Sequence, residues 1–404
     1  MLTLIITILL ISIYVAINII VARKHRKTLL KSFEHRIHVN GIRGKSSVTR
    51  LISAAYRESG VKTVAKTTGT AAKIFVSHGS DWDIDRNEAN ITEQKRLLNR
   101  YMKTGYKAFV FECMAINPVY QKYLEDKIML STIGVITNVR EDHTDQLGST
   151  IPEIAKSLCN TVPYNGHLIT AESNPEALQA MAKACIDRNS QLHKVSDEKI
   201  TDKTMKPFGH HEYKENVAIA LKAAEIAGIT NKTALTGMYQ ALPDPGAFKL
   251  QEHKVREQTI YWANLFAVND RESFIKTVNE LSFKVSGAPK RAIILNNRHD
   301  RPERVKQFVD IALNSISVDY IITFGDYEKQ VSQTVSSSPT KNKPAVIHLG
   351  NSTEYRSASG ELLWEKILES IDDTSCLLVG AVNVHTLQAE NLLNANGGAL
   401  SYVR

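Results

Sequence analysis

The stretch His38-Val39-Asn40-Gly41-Ile42-Arg43-Gly44-Lys45-Ser46-Ser47 decides the fold of this chain. A short β-prone run ends at Val39, and apolar residues with helical spacing begin at Val48. The order of strand, glycine-rich turn, Lys-Ser and helix is typical of a phosphate-binding loop. Its glycines let backbone N–H groups surround phosphate oxygens, and the new helix directs its positive end at them. The stretch therefore predicts a nucleotide site.

Within this loop, Lys45 is expected to reach the β- and γ-phosphates of ATP, and Ser46 to place its hydroxyl on Mg²⁺. The spacing departs from a strict G-x-x-x-x-G-K-[ST], because Val39 stands where that pattern has its first glycine. The alternative is a chance Gly-Lys-Ser turn before an ordinary helix. The residues predicted to bind the nucleotide here are Asn40, Gly41, Arg43, Gly44, Lys45, Ser46 and Ser47.

The composition is that of a folded protein with reduced thiols. The chain has 404 residues, of which 43% are hydrophobic and 23% charged, which suits two globular domains rather than a disordered chain. Its four cysteines form no C-x-x-C pair, so we expect neither a disulfide framework nor a cysteine metal site.

The apolar run from Leu2 to Val21 predicts a membrane anchor. It contains no charged residue and is long enough to cross a bilayer as a helix. Basic residues follow it from Arg23 to Lys27, so the positive-inside rule places the N-terminus outside and the catalytic domains in the cytoplasm. A cleaved signal peptide is the alternative, but it should have a basic n-region and a shorter apolar stretch. We expect a single-pass protein of the cell membrane.

The net charge of +8 does not indicate a nucleic-acid partner. Residues 1–36 hold six Lys or Arg and one Glu, a contribution of +5, so the remainder carries only +3. The positive net charge therefore comes mainly from the residues that flank the apolar run. We find no basic stripe with interleaved aromatic residues, and we predict no nucleic-acid binding.

Two further strands supply candidate metal ligands. Residues 107–115 read as a buried strand that contains Glu112, and burial of a carboxylate is costly unless a cation or strong donors compensate it. Glu112 is therefore predicted to bind the metal, with a satisfied structural glutamate as the alternative. Thr68 lies in the Thr-Thr-Gly-Thr turn that follows a strand at 61–65, where its hydroxyl can contact Mg²⁺ or serve ordinary turn chemistry.

The segment at 137–145 adds a histidine and three acids after the strand predicted at 132–139. Ligands of open α/β sheets bind beyond the carboxyl ends of the strands, so this segment belongs at a ligand site. His143 is predicted as a metal contact that serves a second ion. A solvated polar loop is the alternative reading.

These motifs, taken in order, resemble the central ATPase domain of the Mur ligase superfamily, which uses the tighter G-x-x-G-K-S-S loop. The resemblance implies two further site residues. Asn216, at the start of an alanine-rich helix, corresponds to an asparagine that binds the nucleotide. Lys156 lies fourteen residues after Asp142, near the place where several members carry a carbamylated lysine that bridges to the second Mg²⁺. An exposed helical lysine is the alternative for Lys156.

A second α/β domain is predicted after the Asp-Pro-Gly at 244–246, with parallel strands alternating with helices. Asn269 and Asp270 stand where Mur ligases have a nucleotide-binding loop, although the match is loose. Arg298 and Arg301 are candidates for binding phosphate or a substrate carboxylate. Residues 331–343, rich in Ser, Thr and Lys, are expected to form a surface loop.

The combination of a membrane helix, R-I-H-V-N-G-I-R-G-K-S-S, E-D-H-T-D, F-A-V-N-D and N-N-R-H-D-R-P-E-R is similar to the catalytic subunit of poly-γ-glutamate synthase, of the PgsB/CapB type. That family joins glutamate to a growing poly-γ-glutamate chain for a capsule or secreted polymer. The resemblance implies ATP and Mg²⁺ as cofactors, a γ-glutamyl phosphate intermediate, and release of ADP and phosphate. It also implies an oligomeric assembly with a small multipass membrane subunit (PgsC/CapC type) and a membrane-attached subunit (PgsA/CapA type).

The predicted fold is α/β, with an N-terminal transmembrane helix, a Mur-ligase-like P-loop ATPase domain with a parallel sheet, and a smaller Rossmann-like C-terminal domain. The predicted boundaries are 1–22 for the anchor, 23–36 for a basic juxtamembrane segment, 37–245 for the ATP-binding domain and 246–404 for the C-terminal domain. Two other functions remain open: a folylpolyglutamate-type ligase acting on a soluble carrier, and a membrane-tethered P-loop ATPase that regulates export. The latter would favour a Walker B strand that ends in Asp, whereas the acid here is Glu112, inside its motif, with Asp142 and His143 after it.

Overall fold

The computed structural model divides the chain into two compact units, Met1–Pro245 and Gly246–Arg404. It describes residues 2–68, 72–77, 82–84, 91–243, 250–255, 258–266, 268, 271–285, 289–350, 358–371, 375–382 and 386–395.

The first unit begins with one long helix and continues as an alternation of strands and helices. The helices are α1 (Leu2–Ser32), α2 (Lys45–Glu58), α3 (Ile91–Tyr101), α4 (Pro118–Tyr123), α5 (Thr144–Leu147), α6 (Ile151–Leu158), α7 (Pro175–Asp187), α8 (Asp202–Met205), α9 (Lys214–Ile226) and α10 (Asn231–Tyr239). A π-helix (Leu124–Met129) continues α4, and 3₁₀ turns lie at Cys159–Thr161 and Asp197–Lys199. The strands are β1 (His35–Asn40), β2 (Thr63–Lys66), β3 (Lys73–Val76), β4 (Trp82–Asp83), β5 (Ala108–Glu112), β6 (Ile133–Ile136), β7 (His167–Thr170) and β8 (Gln191–Lys194).

These strands form one sheet in the order β4-β3-β2-β5-β1-β6-β7-β8. All neighbours from β2 to β8 pair in parallel, while β3 and β4 add an antiparallel edge. The central strand β1 is buried on both faces, and its carboxyl end leads into the phosphate loop. This places the loop where parallel sheets bind ligands.

Helices cover both faces of this sheet, because residues along a strand point alternately to opposite sides. On β5, Val110 packs into the core that α2, α9 and α10 complete. Its neighbours Phe109 and Phe111 belong to the core on the other face, together with Leu98 of α3 and Leu29 of α1.

Helix α1 runs without a break through both the apolar run and the basic residues that follow. Leu4–Ser32 is the one segment of the described chain that is long and apolar enough to cross a membrane, by length and composition. From residue 4 to residue 24 its side chains are exposed.

The second unit is a smaller α/β layer structure. Its strands are β9 (Gln251–Val255), β10 (Gln258–Asn264), β11 (Lys290–Asn297), β12 (Tyr320–Gly325), β13 (Ala345–Gly350) and β14 (Ser375–Ala381), in the sheet order β13-β12-β11-β14-β10-β9. Its helices are α11 (Arg271–Lys284), α12 (Pro302–Asn314), α13 (Glu328–Ser337), α14 (Gly360–Ser370) and α15 (Leu387–Ala395). All pairs except β9 with β10 are parallel.

The expectation of a surface loop at 331–343 was wrong for residues 331–337, because α13 extends to Ser337, and is confirmed for residues 338–343. Val331 and Val335 are spaced four residues apart and are buried in the core of the second unit. The Ser and Thr residues between them lie on the outer side of an amphipathic helix, so composition alone gave a misleading reading.

Candidate active site

The phosphate loop joins β1 to α2 through two glycines in left-handed conformations. Gly41 has φ +125°, and a Cβ atom there would lie 2.1 Å from Thr137 Oγ1. Gly44 has φ +80°, and its Cβ would lie 2.7 Å from Asn216 Oδ1. Both positions therefore exclude a side chain by backbone conformation and by space. The loop is wedged between the end of β6 and the start of α9.

The backbone of Arg43 is fixed from the end of β6. Asn138 accepts a hydrogen bond from Arg43 N (3.0 Å) and donates one to Arg43 O (3.1 Å). Thr137 Oγ1 donates to the same carbonyl (2.6 Å). Three hydrogen bonds therefore hold the backbone of Arg43 against the residues that follow β6.

Lys45 lies folded over the loop that precedes it. Its ammonium group donates to the carbonyls of Gly41 (2.9 Å) and Ile42 (3.0 Å). Burial lowers the pKa of Lys45, while the negative charge of Glu112 acts in the opposite direction. The side-chain nitrogen therefore lies within the loop, next to the place where phosphate oxygens would bind.

Glu112 is the last residue of β5, so the strand ends at the acid instead of continuing to Ala115 as the apolar run had indicated. Its carboxylate is almost fully buried. One oxygen, Oε2, accepts hydrogen bonds from Ser46 Oγ (2.9 Å) and Thr68 N (2.7 Å). Three of the four residues predicted to contact the metal therefore meet beside the phosphate loop, Thr68 through its backbone N–H. The position of the acid no longer argues against an export ATPase.

The donor set here fits a hard divalent cation bound with a nucleotide. Among the residues that the structure describes, no three or more His, Cys, Asp or Glu side chains group together as a metal site. One carboxylate and the hydroxyl of Ser46 provide oxygen ligands, which Mg²⁺ prefers while it keeps several waters and phosphate oxygens.

His143 lies at the rim of this site. It occupies the residue before α5 with φ +47°, and its backbone N–H bonds to its neighbour Asp142 (2.9 Å). Asp142 also forms an ion pair with Arg43 (3.1 Å). His143 is thus connected to the phosphate loop through Asp142, and its contact is with that residue, not with Glu112.

Asn40 supports the loop from beneath. It is buried, and its side-chain amide donates to Gln121 (3.0 Å) and Thr161 (3.2 Å). Because its side chain is engaged, Asn40 is left with its backbone to bind the nucleotide as predicted. Asn216 abuts Gly44 and donates to Glu212 (2.7 Å), which fixes the orientation of its amide.

Two predicted residues lie apart from these contacts. Ser47 is half-buried in the first turn of α2. Lys156 is exposed in the last turn of α6, and its side chain forms no hydrogen bond or ion pair with any other described residue.

Glu172 is a site-supporting residue that the sequence reading missed. It is buried just beyond β7 and accepts hydrogen bonds from Val139 N (2.6 Å) and Arg140 (3.1 Å). These bonds hold the turn that leads to Asp142 and His143. The sequence does place this acid directly after a strand. Its role becomes clear only from the sheet order, which puts β7 next to β6.

A buried charge network lies behind the loop. His38 Nδ1 is 2.8 Å from Glu125 Oε2, and the other carboxylate oxygen accepts bonds from Ser131 N and Oγ. Burial lowers the pKa of His38, but the Cys113 thiol and the Glu125 carboxylate outweigh it, so the pKa is raised to about 10. The network ties β1 to the π-helix.

In the second unit, Arg298 and Arg301 flank the start of α12. Arg298 forms a two-pronged pair with Asp300 (2.9 and 2.7 Å), while Arg301 Nε is 3.9 Å from the same carboxylate. Both arginines keep exposed surface. Asn269 and Asp270, also predicted to bind nucleotide, lie outside the described residues.

Comparison with known proteins decides the family. Residues 39–242 match the Mur ligase middle domain, and residues 250–397 match the poly-gamma-glutamate synthase CapB C-terminal domain. The chain is 35% identical over 326 residues to the PGA synthase CapB of Bacillus subtilis, with 78% of this chain and 80% of that protein covered. The chain belongs to the CapB family. It is also 37% identical over 309 residues to the capsule biosynthesis protein CapB of Bacillus anthracis, covering 75% of this chain and 66% of that one.

A solved structure with the same fold is the bifunctional folylpolyglutamate synthase/dihydrofolate synthase of Yersinia pestis, complexed with AMPPNP and a Mn ion. The TM-score is 0.61 at 14% identity, with 93% of this chain and 92% of that chain covered. The predicted family and the Mur-ligase-like α/β fold are thereby confirmed for this CapB-family chain.

Proposed function

We propose that this CapB-family chain is an ATP-dependent, ADP-forming ligase that joins glutamates through their γ-carboxyl groups to build poly-γ-glutamate. The observation that carries the proposal is the meeting of Ser46 and Glu112 beside a phosphate loop that Thr137 and Asn138 hold by hydrogen bonds, in a chain of this family. The chemistry needs activation, because a carboxylate is a poor acylating agent in water.

In the proposed first step, a γ-carboxylate oxygen attacks the γ-phosphorus of ATP. A carboxylate–phosphorus bond forms, the bond to the β–γ bridging oxygen breaks, and ADP leaves. The loop backbone and Lys45 hold the phosphates in line, and most catalysis of such a transfer is positioning and charge stabilisation. In the second step, the amine of another glutamate attacks the acyl carbon, phosphate leaves, and the amine loses a proton.

ATP and a divalent cation are the cofactors, and we propose Mg²⁺ as the ion. When bound, it would neutralise charge that develops on the transferred phosphoryl group. Ser46 and Glu112 would hold it, with Thr68 beside them and His143 at the rim for a second ion. Asp142 would orient both His143 and Arg43. Arg298 and Arg301 are proposed to bind a phosphate or a substrate carboxylate.

We also propose that α1 anchors the chain in the cell membrane with the N-terminus outside and both units in the cytoplasm. Its exposed apolar run followed by basic residues supports this orientation. The proposed partners are a small multipass membrane subunit and a membrane-attached subunit, of the PgsC/CapC and PgsA/CapA types, in an oligomeric assembly.

Trapping of the intermediate tests this function. Hydroxylamine added to membranes that contain the chain, the multipass subunit, ATP and glutamate should yield γ-glutamyl hydroxamate, because it attacks the acyl phosphate in place of the amine. A ligase of a soluble carrier would need that carrier, and an export ATPase would give ADP without hydroxamate. ADP formation that continues without glutamate and without hydroxamate would contradict the proposal.

A further inference from the structure

Helix α1 turns one stripe of its basic end toward the first unit. His25, Thr28, Leu29 and Ser32 are covered by the protein, whereas the basic residues between them are exposed. The covered positions recur every three or four residues, which is one face of a helix. The remaining face of this segment is therefore basic and turned away from the unit.

The covered stripe packs along α3. Leu29 shares a buried cluster with Leu98 and Tyr101. Ser32 Oγ accepts a hydrogen bond from Lys103 N (3.3 Å), and His25 hydrogen-bonds to Asn99 and faces Lys95 one turn earlier in α3. Helix α3 therefore lies beside the segment of α1 that immediately follows the apolar run.

This contact fixes the depth of α3 relative to the apolar run. His25 follows Val21 by four residues, which is about 6 Å along a helix. The headgroup layer of a bilayer extends about that far beyond the hydrocarbon. With α1 inserted, the turn of α3 from Lys95 to Asn99 is held at the level of the lipid headgroups.

The surface that α1 and α3 share is strongly basic. None of its basic side chains forms an ion pair with a carboxylate of the described chain. The acids closest in sequence are engaged, Glu34 with Lys107 and Glu93 with Lys66. The basic side chains of this surface are Arg23, Lys24, Arg26, Lys27 and Lys31 on α1, and Lys95, Arg96, Arg100 and Lys103 on α3 and the turn after it.

An open cavity of about 300 Å³ adjoins the same helix. Arg96 and Arg100 line one part of it, and Trp82 and Leu97 line another. Glu93 also lines the cavity, and its charge is paired with Lys66 (3.1 Å). A cavity with both guanidinium groups and apolar surface suits a phosphate joined to an apolar glycerol ester, the chemistry of a phospholipid headgroup.

We propose that the basic surface of α1 and α3 binds anionic phospholipid headgroups and holds the first unit against the membrane. The inference rests on the proposed membrane anchoring of α1. An acidic polymer carries similar charge, but lipid phosphates lie within a Debye length of these side chains as soon as α1 is inserted. The continuity of the basic surface with the apolar run therefore favours lipid.

The test uses the full chain in nanodiscs of phosphatidylcholine, with and without about 30 mol% phosphatidylglycerol. Backbone hydrogen exchange of residues 91–103 is the readout, since headgroup binding opposes opening of α3. We expect exchange to be slower by about fivefold or more with phosphatidylglycerol, and the difference to vanish in about 0.5 M salt.

Two variants of equal charge separate this surface from net charge. The variant Lys95→Glu, Arg96→Glu, Arg100→Glu should lose the phosphatidylglycerol effect. The control Lys203→Glu, Lys206→Glu, Lys232→Glu should keep it. Lys203 lies in α8, Lys206 directly follows α8, and Lys232 lies in α10. All three are exposed, and these two helices pack on the other face of the sheet.

Three results would overturn the proposal. The first is equal exchange in both kinds of nanodisc while the chain stays inserted. The second is equal slowing by soluble γ-glutamyl oligomers in phosphatidylcholine nanodiscs, which would make this an acidic-polymer site. The third is release of the parent chain from phosphatidylcholine nanodiscs. That result would contradict the proposed membrane anchoring of α1, and it is distinguishable from the other two.

Discussion

Ser46 Oγ, in the first turn of α2, donates a 2.9 Å hydrogen bond to Glu112 Oε2 at the end of β5. The two residues are 66 positions apart in sequence. The parallel register of β1 with β5 brings them together, since Val39 pairs with Glu112. This pair is the centre of the proposed nucleotide–metal site.

Replacing Glu112 tests the metal assignment. Glu112→Gln keeps the shape of the side chain but removes its charge, so the Mg²⁺ concentration for half-maximal ATP turnover should rise about tenfold or more. Glu141→Gln removes an equal charge from an exposed residue of the neighbouring loop and is the matched control. An unchanged Mg²⁺ titration for Glu112→Gln would leave the buried acid without a metal role.

Gly41→Ala should disrupt the phosphate loop. A left-handed residue with a side chain costs about 1–2 kcal/mol, and Gly60→Ala, at φ +82° with open space around it, should show only that cost. Gly41→Ala should cost roughly a further 1–3 kcal/mol of unfolding free energy and should abolish ATP binding, because its Cβ meets Thr137 Oγ1 and the Thr137 backbone. Thermal unfolding and nucleotide binding of both variants check this. Equal losses would mean that space at Gly41 is unimportant.

The His38–Glu125 pair predicts how stability depends on pH. The pKa of His38 is raised from 6.5 to about 10 in the folded state, so the folded chain binds the extra proton between these values. The stabilisation is complete below pH 6.5 and is lost as pH rises through about 10, with a slope of at most about 1.4 kcal/mol per pH unit. Thermal unfolding in detergent from neutral pH to pH 10 should show this decline. The double variant His38→Gln, Glu125→Gln should flatten it, and an identical decline in that variant would contradict the assignment.

Lys156 tests the carbamate prediction. Its exposed position on α6 leads us to expect that Lys156→Ala keeps the turnover of the parent chain. A loss of activity that short carboxylic acids restore would instead support a carbamylated lysine, because the added acid would replace the carbamate. Turnover measured with and without acetate distinguishes the two.

The sequence predicted those parts of the site whose chemistry is local. The two glycines, Lys45 and Ser46 are adjacent in sequence, and the buried acid Glu112 was conspicuous in an apolar run. The supports were harder to predict, since Thr137 and Asn138 act by bonding to a loop more than 90 residues earlier. Glu172 likewise acts on the turn after another strand. Such partners are brought together by the order of the strands in the sheet, and that order cannot be read from a single sequence.

The anchor illustrates the same limit in the fold. Its apolar run was evident from composition, but nothing in the run indicates that α1 continues unbroken to Ser32. The burial of Leu29 and Phe33 against Phe109 and Leu98 depends on contacts across the chain.

The most direct test of the account measures which nucleotide forms and what its formation requires. Membranes that contain the chain and the proposed multipass subunit should convert ATP to ADP and phosphate only when glutamate is present. Lys45→Ala should abolish this conversion, and Lys62→Ala, an exposed lysine of the same unit, should not. Labelled glutamate should enter material that resists α-peptidases, since the activated carboxyl is the γ one. Formation of AMP, or ATP turnover that is independent of glutamate with no label incorporated, would contradict the account.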